Sequence, residues 1–111
     1  MAKFFALYLA PITEIDKWMK NVNPEEMKKG MDEWNKWMKD HKNVFDDMGS
    51  PLGKTKRLTK DGLSDTRNEI TGYSIVEADS HEAAAKLFGG HPHLQIPGAS
   101  IDILKVTEMP K

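Results

Sequence analysis

The stretch GKTKRLTKDGLSDTRNEITGYSIVE, residues 53 to 77, predicts a β-hairpin followed by an apolar strand. Asp61-Gly62 is a two-residue signal for a type I′ turn, and Gly62 tolerates the positive φ that this turn requires. The hairpin brings the polar run Ser64 to Arg67 to the end of its second arm, just before a strand expected over residues 73–78. We therefore expect a cleft at this end of the hairpin.

The residues before the hairpin predict one strand and two helices. Residues 3–10 are almost wholly apolar and Pro11 ends them, which favours a central strand over a helix. Thr13 is the expected cap of a short helix, and Asn23-Pro24 is the expected start of a long one. Gly49 is the expected C′ residue of the long helix. Its apolar stripe advances in steps of four and three: Met27, Met31, Trp34, Met38, His41, Phe45 and Met48.

The residues after the hairpin complete an α+β fold. A capping box over residues 79–82 starts a helix, Gly89-Gly90 ends it, and residues 100–107 predict the last strand. This order, βαββαβ with an antiparallel sheet, is that of a ferredoxin-like protomer. At 111 residues the chain suits one domain, which we place over residues 1–111.

The predicted strands have two faces of different character. One set of alternating residues is mostly large and apolar: Phe5, Leu7, Leu9, Tyr73, Ile75, Ile101 and Ile103. The opposite set is smaller and includes polar groups: Phe4, Ala6, Tyr8, Ser74, Val76, Ala78, Asp102, Leu104 and Val106. Because the second face is still too apolar for water, we expect a second copy of the chain to cover it and to enclose a partly polar cavity.

Composition excludes several classes of function. The formal net charge is −1 with basic and acidic residues interspersed, which argues against nucleic-acid binding. No cysteine is present, so disulfides and thiolate chemistry are excluded. The apolar run at the N-terminus is too short to span a membrane and is a poor signal peptide, so we expect a cytoplasmic protein without membrane contact.

Four segments occur in an order that resembles a known family. LGKTK, KDGLSD, GYSIVEADSHEAA and HPHL resemble the YCII-related family, also called the DGPF domain family, of the dimeric α/β-barrel superfamily. The resemblance covers about residues 25 to 107 and implies a ferredoxin-like protomer that pairs sheet to sheet as a homodimer. It also implies an enzyme that uses a His and an Asp facing a cleft. Where many relatives read Asp-Gly-Pro this chain has Asp65-Thr66-Arg67, and where the namesake branch has a His in the long helix it has Trp34 and Trp37.

Asp65 and His93 are the candidate catalytic pair. A carboxylate beside an imidazole fixes its tautomer and raises its basicity. Pro92 makes the loop His91-Pro92-His93 rigid, and we expect His93 to face the cleft and His91 to be exposed. The alternative for Asp65 is an ordinary turn residue or an ion pair with Arg67.

Four further residues are candidates for substrate binding. Arg67 has the fixed fork that suits a carboxylate, while Tyr8, Ser74 and Asp102 lie on the less apolar strand face. Asp102 needs a partner if it is buried, and Tyr8 or Lys105 across the subunit interface would provide one. Histidines at 91 and 93 lack a third ligand at helical spacing, so we expect no metal, and no cofactor motif occurs.

Two functions remain open from the sequence. The first is a cofactor-independent enzyme that performs His/Asp acid–base chemistry on a small organic molecule in a cleft at the sheet face. The second is a non-catalytic ligand-binding or structural dimer.

Overall fold

The fold is built on a four-stranded antiparallel sheet. The computed structural model describes residues 2–21 and 23–107. Its strands are β1 (Ala2–Leu9), β2 (Phe45–Pro51), β3 (Thr55–Thr59), β4 (Gly62–Thr66), β5 (Ile70–Ala78) and β6 (Ser100–Lys105). The main sheet has the order β2-β5-β1-β6, and β3 pairs with β4 in a separate two-stranded sheet. The chain is therefore an α+β protein, as predicted, with β1 inside the sheet.

Three helices accompany the sheet: α1 (Ile12–Asn21), α2 (Pro24–Asp40) and α3 (His81–Leu87). Asn23 caps α2 as predicted, because its Oδ1 accepts a hydrogen bond from the Glu26 N–H at 2.8 Å. The cap of α3 is Ser80, whose Oγ accepts from the Ala83 N–H at 3.0 Å, so the cap lies one residue after the predicted Asp79, and Ala83 at the third helical position cannot complete the predicted capping box. Thr13 lies inside α1 and does not cap it. The apolar stripe expected for this short helix is Ile15, Trp18, Met19 and Val22, of which Val22 lies outside the described residues. No helix in the described part of the chain is both long and apolar enough to cross a membrane.

The core lies between the helices and one face of the main sheet. Its buried apolar members are Phe4, Ala6, Tyr8, Trp37, Met38, Val76, Ala84 and Phe88. The predicted assignment of the two faces is wrong, since Phe4, Ala6, Tyr8, Ser74 and Val76 lie under the helices rather than on the open side. The register also places Leu7 opposite Asp102 and Phe5 opposite Leu104, so these β6 residues belong to the open face and Ile101 and Ile103 to the covered face.

The second half of the predicted long helix is a strand. Helix α2 ends at Asp40, a short 3₁₀ turn covers Lys42–Val44, and Phe45 then pairs with Val76 at the edge of the sheet. Phe45 and Met48 fit a helical stripe, but the segment also contains Gly49 and Pro51, which disfavour a helix interior. Gly49 is not a C′ residue, because it lies within β2. Its φ of +79° belongs to the irregular pairing of β2 with β5.

The predicted hairpin is present with a different turn. Thr59 pairs with Gly62, so the two loop residues are Lys60 and Asp61 rather than Asp61 and Gly62. In the described residues Lys54 is the only non-glycine with a positive φ, which excludes the type I′ geometry. Gly62, with a φ of +134°, opens β4.

Candidate functional site

A cluster of buried polar side chains lies under α2, on the covered face of the sheet. It consists of Tyr8 on β1, Ser74 on β5, and His91 and His93 in the loop after α3, all with at most 4% of their surface exposed. Trp34 and Trp37 of α2 cover it, with ring centroids 4.4 and 4.3 Å from that of His91. The cluster is thus a set of hydrogen-bonding groups within an aromatic enclosure.

Local sequence explains how the loop brings two histidines inward. Gly90 adopts a φ of +80° after α3, and Pro92 takes the first position of a 3₁₀ turn over Pro92–Gln95. His91 then acts as the N-cap of this turn, and its Nδ1 accepts a hydrogen bond from the His93 N–H at 2.9 Å. The predicted exposure of His91 is therefore wrong, because its side chain caps its own loop from the inside.

The hydrogen bond at Nδ1 fixes the tautomer of His91. A ring nitrogen that accepts a hydrogen bond carries no proton, so the neutral imidazole has its proton on Nε2. That Nε2 is buried and has no hydrogen-bond partner among the residues that the structure describes. Burial lowers the pKa of His91 from 6.5 to about 4, and the charges of His93 and His41 act in the same direction. At neutral pH His91 therefore presents an unused N–H donor inside the aromatic enclosure.

His93 is also neutral because it is buried, but its ring has a hydrogen-bond partner. Its Nε2 lies 2.7 Å from the carbonyl oxygen of Leu9, and since a carbonyl only accepts, this nitrogen is the donor. Burial lowers the pKa of His93, while the backbone carbonyls of Leu9 and Ser100 oppose the shift.

Tyr8 and Ser74 form a directed chain of hydrogen bonds. The Ser74 hydroxyl donates to the carbonyl oxygen of Met48 at 2.7 Å, so the Tyr8 hydroxyl must donate to Ser74 Oγ at 2.8 Å. Burial raises the pKa of Tyr8, and the bond to Ser74 opposes this in part. Three residues predicted for the site, Tyr8, Ser74 and His93, thus lie together, although under the helices and not on the open sheet face.

The charged residues predicted for the site have other partners. Asp65 is exposed on β4 and forms an ion pair with Lys56, at 2.6 Å, rather than with Arg67. The Arg67 guanidinium makes two hydrogen bonds to the carboxylate of Asp16, at 2.8 and 3.3 Å. These bonds raise the pKa of Arg67 and lower that of Asp16.

Asp102 is exposed on the open face, opposite Leu7. Tyr8 points to the covered face and Asp102 lies on the open face, so the two are not partners within the protomer, and the hydrogen bond expected across the subunit interface stays a prediction.

A surface groove adjoins the histidine cluster. It has a volume of about 270 Å³ and is lined by Glu33, Lys36, Trp37, Asp40, Pro92 and Gln95. Trp37 forms part of the groove wall and also part of the enclosure around His91.

Sequence reasoning missed the two tryptophans as site residues. Trp34 belongs to the apolar stripe predicted for the long helix and Trp37 broadens it, but the contacts of both with His91 depend on a loop more than fifty positions later in the chain. The available signal was the pair Gly90 and Pro92, which turns the loop back on itself.

Among residues 2–21 and 23–107, no three His, Asp or Glu side chains are placed to hold a metal ion together. The chain matches neither a protein-family model nor a curated protein.

Proposed function

We propose that the protein is a ligand-binding homodimer that holds a small organic molecule with a carbonyl oxygen next to His91. The observation that carries this proposal is the buried Nε2–H of His91, for which the described part of the chain provides no hydrogen-bond acceptor. Nearly all buried polar groups in proteins are paired, and an unpaired donor costs stability unless it serves another purpose. A neutral oxygen acceptor is the simplest partner for a neutral donor in an apolar enclosure.

The groove beside Trp37 supports the same proposal. It lies against the tryptophan that covers His91, and its volume of about 270 Å³ is just below the range typical of pockets for drug-sized ligands, so it suits only a smaller molecule. In the proposed complex the body of the ligand occupies the groove, Trp37 rotates, and the ligand oxygen accepts the Nε2 proton.

Two substitutions of His91 distinguish the roles of its two ring nitrogens, the acceptor Nδ1 and the donor Nε2. His91→Asn keeps an oxygen in the position of Nδ1, which preserves the loop cap, but removes the Nε2 donor. His91→Gln keeps an N–H in the position of Nε2 and removes the acceptor for His93. A thermal-shift screen of small carbonyl compounds should find ligands that stabilise the wild type and His91→Gln, but not His91→Asn.

The opposite result of this screen has a clear meaning. If no compound raises the melting temperature of the wild type by more than it raises that of His91→Asn, the unpaired Nε2–H serves packing alone, as an N–H···π contact to an indole. The ligand-binding proposal would then be withdrawn.

We propose further that the protomer is ferredoxin-like and that two copies pair through the open sheet face. The strand order β2-β5-β1-β6 and the helices on one side support this arrangement. The open face carries an apolar row of Phe5, Leu7, Leu9, Tyr73, Ile75 and Leu104, with Phe5 stacked on Tyr73 at 5.5 Å. Membership of the YCII-related family rests on the four sequence segments. Sedimentation at micromolar concentration should give a dimer, and a monomer would contradict the pairing.

Acid–base catalysis without a cofactor is the second candidate function. The observation that favours it is that burial lowers the pKa of His93, which keeps this imidazole neutral and able to accept a proton near neutral pH. In this proposal Asp65 would leave Lys56 and orient His93, while Arg67 would bind a carboxylate of the substrate. An NMR titration of His93 in the wild type and in Asp65→Ala tests the pair, since identical titrations would remove the dyad.

A further inference from the structure

The tip of the β3–β4 hairpin presents an exposed apolar pair. Leu58 and Leu63 lie directly opposite each other in the register and are 77% and 64% exposed. The hairpin is a sheet of its own, without hydrogen-bonded pairing to the main sheet. An isolated two-stranded ribbon is only marginally stable in water, so this element gains from a surface that covers its leucines.

The hairpin is anchored at its base and projects from the protomer. Arg67, which follows β4, is bound to Asp16 of α1 by two hydrogen bonds, and Asn68 donates to Thr55 at 3.4 Å. The protomer measures 46 × 45 × 20 Å, with a radius of gyration of 15.7 Å. A compact domain of this size has a radius of gyration of about 13 Å. Such a flat, extended protomer is suited to wrapping around a second copy.

The same chain carries a complementary surface. The N-terminal part of α2, residues 24–33, is exposed except for the half-buried Glu33, and its stripe residues Met27 and Met31 are 41% and 58% exposed. This segment has four acidic and two basic residues: Glu25, Glu26, Asp32, Glu33, Lys28 and Lys29. The hairpin, residues 54–66, has four basic and two acidic residues: Lys54, Lys56, Arg57, Lys60, Asp61 and Asp65. The two surfaces therefore carry net charges of opposite sign around apolar centres.

We propose that the hairpin of each copy packs on the N-terminal part of α2 of the other copy, with Leu58 and Leu63 against Met27 and Met31. The proposal rests on the homodimer proposed above. Within one protomer both surfaces are exposed, so the hairpin does not cover its own α2. Exchange between two copies makes two equivalent contacts, which closes the assembly. Methionine adapts its shape readily to a partner surface, which suits it to receive the leucine pair.

The absence of native cysteine allows a direct test by cross-linking. Leu63→Cys on one tagged copy and Met31→Cys on a differently tagged copy should form a disulfide-linked dimer under mild oxidation. Met19→Cys provides the matched control, because Met19 is an equally exposed methionine, at 68%, on α1. It should not cross-link to Leu63→Cys. Equal cross-linking of both methionine positions would overturn the proposal.

A second measurement tests the hairpin contact independently of the homodimer. Leu58→Ser with Leu63→Ser should raise the dissociation constant about tenfold or more, since the buried apolar centre of an interface dominates its affinity. Lys56→Glu, on the same face of the hairpin as Leu58 and Leu63, should weaken the dimer, and Glu26→Lys should restore part of that loss in the double variant. If the wild type is a dimer with a dissociation constant that the hairpin variants leave unchanged, only the hairpin contact is wrong. If the wild type sediments as a monomer, the homodimer is wrong as well.

Discussion

The Nδ1 of His91 accepts a hydrogen bond from the backbone N–H of His93 at 2.9 Å, so one imidazole caps the turn that carries the other. Protonation of His91 at Nδ1 would remove this acceptor and break the cap. It would also place a positive charge inside the enclosure formed by Tyr8, Trp34 and Trp37. The loop is therefore stable only while His91 is neutral.

This relationship predicts that stability decreases as the pH falls. The pKa of His91 is 6.5 in the unfolded chain and about 4 in the folded one, so between these values the unfolded chain binds a proton that the folded chain does not. The free energy of unfolding is unaffected by His91 above pH 6.5 and falls progressively below it. By pH 4 the loss amounts to about 3 kcal/mol. Urea denaturation across this pH range measures it.

His91→Asn is the variant that isolates this contribution. It keeps a cap for the His93 N–H and cannot titrate, so its stability should depend less on pH than that of the wild type. Equal pH dependence in His91→Asn and the wild type would show that His91 is not the group responsible.

The direction of the Tyr8 and Ser74 hydrogen bonds predicts unequal effects of deleting the two hydroxyls. Tyr8→Phe removes one donor and leaves Ser74 bound to the Met48 carbonyl, so it should cost about 1 kcal/mol. Ser74→Ala leaves both the Tyr8 hydroxyl and the Met48 carbonyl without this partner and should cost about 2–3 kcal/mol. Chemical denaturation of both variants gives the comparison. Equal losses would mean that the chain of hydrogen bonds runs differently.

The parts of the fold that local chemistry controls were predictable from the sequence. The start of α2 at Asn23-Pro24 depends on a cap within four residues, and the prediction is confirmed. The end of α2 was not predictable in the same way, because Phe45 and Met48 fit a helical stripe. Phe45 becomes part of a strand through its pairing with Val76, thirty-one positions away, and no local pattern contains that information.

The candidate site also divides into features that local sequence predicts and features that depend on residues far apart in the chain. The sequence predicts that the face of Tyr8 and Ser74 is the open one, because its residues are smaller and partly polar, yet the two hydroxyls satisfy each other once β1 and β5 pair. The partner of Asp65 depends on the hairpin register. With Lys60 and Asp61 as the loop, Lys56 lies opposite Asp65 and forms the observed ion pair. A loop shifted by one residue, as predicted from Asp61-Gly62, gives Asp65 another neighbour.

A methyl group added at Gly49 is expected to lower the stability of the protein strongly. A Cβ at this position would lie 1.6 Å from the carbonyl oxygen of Tyr73, and the φ of +79° is unfavourable for any other residue. Gly49→Ala should therefore destabilise the protein by about 2–4 kcal/mol. Gly30→Ala is the matched control, since Gly30 is exposed in α2 with no atom within 4 Å of the added carbon. It should stabilise the protein by about 1 kcal/mol, and thermal denaturation of both variants measures the difference.

Lysine substitutions at Val76 and Leu104 should distinguish the core from the open sheet face. Val76 is fully buried, so Val76→Lys places a charge in the core and should unfold the protomer. Leu104 is 46% exposed on the open face, opposite Phe5, so Leu104→Lys should leave the protomer folded and dissociate the proposed dimer. Circular dichroism measures folding and sedimentation measures assembly.

Leu94→Lys completes this test as the matched control. Leu94 has a similar exposure, 43%, but lies in the 3₁₀ turn after His93 and away from the open face, so the same change there should leave the assembly intact. A folded Leu104→Lys variant that remains as tightly dimeric as Leu94→Lys would place the subunit contact elsewhere. The apolar row on the open face would then need a different partner, because it leaves Leu104 exposed and five further large side chains only partly buried.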